Sequence, residues 1–355
     1  MLTLRLARGS RPLVQVRRLL VAAASAGTGF LLLFILACAV ARPEGQLPRL
    51  LWCLVPLALT VQFAVAVART DPATRPREGL SAVGLGPVRL TVVAAVSTAI
   101  ACTLGSTLAL LLFLHLRGDL SGLPFDGAAA AVLRADQPFP VAAGLTLLAV
   151  VPLAGAAAAA LVPHTRTVRP PQEGLPWGVA AFAGGLAVLA SAGGGTAGGL
   201  PGWVLVTAGL ALAGPALAHG CGALVQLVRP GAVRLLAGRA LQEEAGRIGR
   251  PLGVLCAVAA GALVSLTGGP LTLLPLGPLT RVAAALVGAC AAATLLTSAV
   301  ESYQEREATR AALLELGTPA RVLRSAALLR SGALATLCVP VVWGVAELTR
   351  LALTR

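Results

Sequence analysis

The most charged stretch of the chain runs from Glu301 to Arg330, with the sequence ESYQEREATRAALLELGTPARVLRSAALLR. Its charged side chains can form ion pairs, and its leucines can form one apolar edge. Such a surface is suited to binding another protein rather than to catalysis. We predict an amphipathic helix from Tyr303 to Leu316, closed by Gly317. Glycine takes the left-handed conformation at a helix end, and Pro319 cannot continue the helix. Two long apolar runs flank this segment, so a soluble partner could push on it at the membrane surface.

Residue types that commonly catalyse reactions or bind metals are scattered along the sequence. We interpret His115 and His219 as hydrogen-bonded structural residues and His164 as a solvated residue, because no Asp or Glu lies in the middle of an apolar run beside them. The cysteines make no CxxC pair and lie in or beside apolar runs, where cysteine behaves as a small hydrophobic residue. They are Cys38, Cys53, Cys102, Cys221, Cys256, Cys290 and Cys338. An enzyme is therefore disfavoured, and we expect no cofactor and no metal.

The composition predicts an all-α polytopic membrane protein. Of the 355 residues, 57% are hydrophobic and only 12% are charged, which is too little charge for the surface of a soluble domain of this length. Apolar runs of bilayer-spanning length predict about nine transmembrane helices, or ten with one further span. The predicted spans are 19–40, 50–67, 90–114, 141–162, 177–192, 203–228, 252–266, 279–300 and 331–349, with a Gly-rich turn at 193–202 and an Arg-rich stretch at 229–250.

All 28 basic residues are arginine, and the formal net charge is +14. A nucleic-acid partner is disfavoured, because the arginines gather in alternate short loops as the positive-inside rule requires. This bias places the N-terminus in the cytoplasm. The absence of lysine and the abundance of Ala, Gly, Leu and Val are typical of a high-G+C genome, so we expect a multi-pass protein of a bacterial plasma membrane.

Two charged stretches resemble one another. Residues 75–90 align with residues 308–323, and the same spacing pairs Arg17 with Arg250 at the start of two spans. We therefore predict two related halves, each with a short cytoplasmic helix between spans. The first half covers 1–162, a linker with a middle pair of spans covers 163–230, and the second half covers 231–355. The second half lacks a counterpart of the fourth span.

The paired segments resemble the helix that members of the FtsX-like permease family, the membrane subunits of one group of ABC transporters, carry between their second and third core spans. The matching residues are Arg77, Glu78, Leu80 and Gly84 in the first segment, and Arg310, Leu313, Glu315 and Gly317 in the second. Ala311 stands where the family usually has Glu. The span plan is similar to the ten-span, two-repeat branch, without its last span and without its large outer domain.

The resemblance implies that both helices couple the membrane protein to a cytoplasmic ABC ATPase, which is expected to be a dimer. Leu80 and Leu313 would fill a cleft on the ATPase, and the charged residues would form the rim. The chain has no GxxxxGK[ST] loop and no lysine to complete one, so the ATPase is expected to be a separate chain. The expected function is a non-catalytic permease subunit that exports or extracts an amphiphilic substrate such as a lipid, peptide or drug, or transmits force. The alternatives are a secondary transporter and a non-transporting scaffold or sensor.

Overall fold

The computed structural model describes residues 12–41, 47–70, 87–120, 124–161, 173–191, 196–227, 231–266, 278–306 and 319–353, with 311–312, 314–315 and 317. These ranges contain nine long helices. They are α1 (Pro12–Ala41), α2 (Leu47–Thr70), α3 (Pro87–Arg117), α4 (Val141–Leu161), α5 (Gly174–Ser191), α6 (Thr196–Leu227), α7 (Ala232–Leu266), α8 (Pro278–Glu305) and α9 (Ala320–Leu353).

Eight of these helices are long and apolar enough to cross a membrane, and α2 contributes a shorter apolar stretch, Cys53–Arg69. About 20 apolar residues span the hydrocarbon core of a bilayer as a helix. The prediction of an all-α polytopic membrane protein is therefore confirmed for the part of the chain that is described.

Several helix boundaries differ from the predicted ones, including that of α9, which begins at Ala320 and not at the predicted 331. The Gly-rich turn expected at 193–202 is wrong in its second part, because α6 begins at Thr196. The predicted span 252–266 is only the end of α7, which begins at Ala232 and passes through Pro251. The predicted span 279–300 extends to Glu305 in α8, so Tyr303 belongs to this helix and does not begin a new one.

The chain divides into two compact units, the first comprising Met1–Thr167 and Ala285–Cys290. Side-chain hydroxyls bridge helices α1, α2 and α3 of unit 1, and α3 also approaches the backbone of α1 at Gly105, where an added Cβ would collide with the carbonyl oxygen of Ala22. The hydroxyls of Thr28 on α1 and Thr60 on α2 are 2.7 Å apart, and the hydroxyl of Ser25 donates to the carbonyl of Cys102 on α3 at 3.3 Å. At one end of the unit, Leu33, Phe113 and Leu133 form a buried apolar core. Buried hydroxyls thus link the helices because water is not available there to satisfy them.

Unit 2 comprises Val168–Ala284 and Ala291–Arg355. Its helices α5, α6 and α7 approach through glycines. A Cβ added at Gly185 of α5 would lie 2.7 Å from the backbone nitrogen of Val206 on α6, and one added at Gly249 of α7 would collide with the backbone of Pro215. Small residues allow helix backbones to come this close, which maximises van der Waals contact where lipid provides no hydrophobic driving force.

Candidate functional site

The strongest concentration of charged side chains in unit 2 surrounds Glu244, in the Arg-rich part of α7. This part of the helix is amphipathic: Ala237, Leu241, Ala245 and Ile248 are buried at a spacing of three or four residues, which places them on one helical face. Glu244 lies beside this face and is only 5% exposed. A carboxylate in such a position is strongly destabilising unless cations accompany it.

Two arginines supply this compensation, one for each carboxylate oxygen. Arg306, directly after α8, brings Nη2 to 3.1 Å from Oε1 of Glu244. Arg330, on α9, brings Nη1 to 2.9 Å from Oε2. These contacts are ion pairs by distance rather than aligned hydrogen bonds. One buried carboxylate thereby joins α7, the end of α8 and α9.

Further contacts surround this centre. Arg306 lies 3.5 Å from Glu243 and donates to the carbonyl of Ala240 at 3.3 Å. Arg247 of α7 pairs with Glu301 of α8 at 3.9 Å. We call this set the charged cluster; its members are Glu243, Glu244, Arg247, Glu301, Arg306 and Arg330. The set contains three acidic and three basic side chains, so its own formal charge is zero.

The second predicted coupling segment lies between two members of the charged cluster. Arg306 precedes it, and Arg330 follows it about three turns into α9. Gly317 has a φ of +87°, the left-handed conformation predicted for the helix end, and its N–H donates to the carbonyl of Leu314 at 3.0 Å. Glu315 is helical and exposed, and Leu314 is 41% exposed.

The other predicted coupling residues lie outside the described residues. These are Arg77, Glu78, Leu80 and Gly84 in the first segment and Arg310 and Leu313 in the second. The equivalence of the two segments therefore stays a prediction.

The sequence alone does not predict the charged cluster. By the pattern of spans and loops, Arg306 and Arg330 are ordinary arginines of the inner side, and Glu244 is one residue of an Arg-rich stretch. The signal that could have found the cluster is the alternation of Ala237, Leu241 and Ala245 with charged residues, which is typical of an amphipathic helix rather than a loop.

A second polar site closes one end of unit 1. Arg117 is only 4% exposed, with its guanidinium carbon 5.2 Å from the ring centroid of Phe139 and Nε 3.1 Å from Asp119. His115 makes a 3.1 Å hydrogen bond between Nε2 and the carbonyl of Pro124. The interpretation of His115 as a hydrogen-bonded structural residue is confirmed. These contacts fold residues 124–140 against the ends of α3 and α4, and we call this part of the chain the cap.

No protein-family model, curated protein or solved structure matches the chain. A functional assignment therefore depends on the geometry within each of its two units.

Proposed function

We propose that the chain is the permease subunit of an ABC-type export or extraction complex, an FtsX-like membrane protein moved by a separate ATPase. The observation that supports it most is the double attachment of the second predicted coupling segment. Arg306 and Arg330, one on each side of that segment, pair with the same buried carboxylate of Glu244. A force applied to the segment would reach α7, α8 and α9 together.

The exposed side of this segment suits a soluble partner. Ala311, Ala312, Leu314 and Glu315 are helical and exposed, in a part of the chain that is otherwise rich in arginine. A small apolar surface with a charged rim is what a cleft on a partner protein recognises. Gly317 ends the segment in the left-handed conformation, so the chain can turn toward α9.

In the mechanism we propose, the charged cluster transmits movement from the bound partner to the membrane helices. Binding or hydrolysis of ATP by the partner would shift the coupling segment. The pairs from Glu244 to Arg306 and Arg330 would pass that shift to α7 and α9, because breaking either pair leaves a buried charge without compensation. The helices would then present a different surface to an amphiphilic substrate in the bilayer, or pass force to the other side.

Binding to an ATPase subunit encoded beside this chain tests the proposal. We expect co-purification of the two proteins, weakened at least about tenfold by Leu313→Asp or Gly317→Arg, since each change removes an apolar contact or the helix end. Val132→Asp is the matched control: Val132 is an exposed residue of the cap, and its change should leave binding intact. Undiminished binding by both segment variants would refute the assignment.

Secondary transport is the second candidate, and Glu244 is the observation in its favour. Buried carboxylates in membrane proteins often carry the coupling ion. Reconstitution into liposomes separates the two functions. Flux driven by an ion gradient without any ATPase, and lost in Glu244→Gln, would support a secondary transporter, whereas flux that requires ATP and the partner supports the permease.

A further inference from the structure

Three cysteines lie on three different helices of unit 2, and two of them are neighbours. Cys221 lies on α6, Cys256 on α7 and Cys338 on α9. The thiols of Cys256 and Cys338 lie within interacting distance of each other. The thiol of Cys221 donates instead to the carbonyl of Ala333 at 3.4 Å. Nothing in the sequence pattern indicates this arrangement, because the three positions are far apart along the chain.

Cys256 and Cys338 also line one small cavity of about 10 Å³. Its wall also includes Gly214, Gly253, Leu337 and Val341. Both cysteine side chains therefore border the same space, which is the placement from which a disulfide between two helices can form.

Other buried cysteines have different neighbours. Cys290 lies 3.9 Å from the hydroxyl of Thr60, and the carbonyl of Cys102 accepts a bond from Ser25. Among the described residues, no group of three His, Cys, Asp or Glu side chains is placed to hold a metal ion. The contact of Cys256 with Cys338 therefore favours sulfur–sulfur chemistry over metal binding.

We propose that Cys256 and Cys338 are an oxidation site that forms a reversible disulfide between α7 and α9. The oxidant would be a membrane-soluble quinone. Two thiols and one quinone give one disulfide and one hydroquinone: the S–S bond forms, both S–H bonds break, and two electrons and two protons pass to the quinone. Cys338 is partly exposed on its helix, so a small lipophilic molecule dissolved in the bilayer can reach it.

The disulfide would be a second connection between α7 and α9, in addition to an ion pair. Glu244 of α7 and Arg330 of α9 already pair at 2.9 Å, about three turns into each helix. A second connection farther along both helices would stop α9 from moving relative to α7. This inference does not depend on the proposed function, because it concerns the chemistry of two side chains.

Peptide mapping of the purified full-length chain in lipid nanodiscs tests it. The protein is treated with a short-chain ubiquinone, free thiols are blocked with N-ethylmaleimide, and the digest is analysed without reduction. We expect one linked peptide pair, Cys256 with Cys338, on a chain of monomer size, lost after dithiothreitol. Five of the seven cysteines should carry the blocking group.

Three variants sharpen the result. Cys256→Ser and Cys338→Ser should each abolish the link, whereas Cys102→Ser, at a buried cysteine of unit 1, should keep it. A link from Cys338 to Cys221, a link between two chains, or seven blocked thiols after oxidation would each overturn the proposal. Mapping of the unaltered chain decides the question even if a variant fails to fold.

Discussion

The two units of this protein differ in the polar groups that join their helices. In unit 1, side-chain hydroxyls such as those of Thr28 and Thr60 bridge neighbouring helices, and buried phenylalanines fill one end. In unit 2, glycines bring the backbones of α5, α6 and α7 into contact, and ion pairs around Glu244 join α7, α8 and α9. A hydroxyl can also bond to a carbonyl of its own helix, as Thr28 does with Ala24, whereas a buried carboxylate has no such alternative. Unit 2 should therefore tolerate change less well.

The largest effect should come from Glu244→Gln. This change keeps the shape of the side chain but leaves Arg306 and Arg330 without their shared carboxylate, and loss of one partner of a buried pair costs about 3–5 kcal/mol. The control is Glu243→Gln, a neighbouring carboxylate that is 73% exposed and should matter little. Denaturant titration in mixed micelles measures both. Equal effects would show that burial at Glu244 is not what makes the difference.

The next effect tests the glycine contacts of unit 2. Gly249→Ala should lower the free energy of unfolding by about 1–3 kcal/mol, because the new methyl group meets the backbone of α6. Gly246→Ala, on the same helix but with nothing within 4 Å, should be neutral or slightly stabilising, since alanine favours a helix. If both variants unfold at the same denaturant concentration, the close backbone contact at Gly249 does not stabilise unit 2.

A smaller effect is expected from the hydroxyl bridge of unit 1. Thr28→Val removes the 2.7 Å contact with Thr60 and should cost about 0.6 kcal/mol, the average for hydrogen bonds between membrane helices. Thr103→Val is the control, because its exposed hydroxyl bonds only within its own helix. A double change at Thr28 and Thr60 isolates their coupling. A loss as large as that of Glu244→Gln would abolish the contrast between the units.

The smallest effect should come from Arg247→Gln. The side chain of Arg247 is 46% exposed and lies 3.9 Å from Glu301, so solvent and salt screen the pair and its contribution should be below about 1 kcal/mol. Thermal unfolding at low and high salt measures it. A strong effect that persists at high salt would show that the pair of Arg247 with Glu301 is as important for stability as the pairs of Glu244.

Hydrophobic runs are enough to predict the all-α class and the middle of each span. They are not enough for α7, because residues 232–250 are polar on one face and resemble a loop to a hydropathy window. Glu244, Arg306 and Arg330 escape prediction for another reason: ion pairs between distant residues depend on which helices are neighbours. The left-handed conformation of Gly317 is predictable, since a Gly followed two residues later by Pro319 ends a helix locally.

Helix α7 has a mechanical consequence of its own. Its 35 residues make a rod about 52 Å long, while the oily interior of a bilayer is about 30 Å thick. Pro251 interrupts this rod beyond its midpoint and removes the bond that the carbonyl of Arg247 would otherwise accept. The helix is consequently easiest to bend about two turns beyond Glu244, between its charged N-terminal part and its apolar C-terminal part.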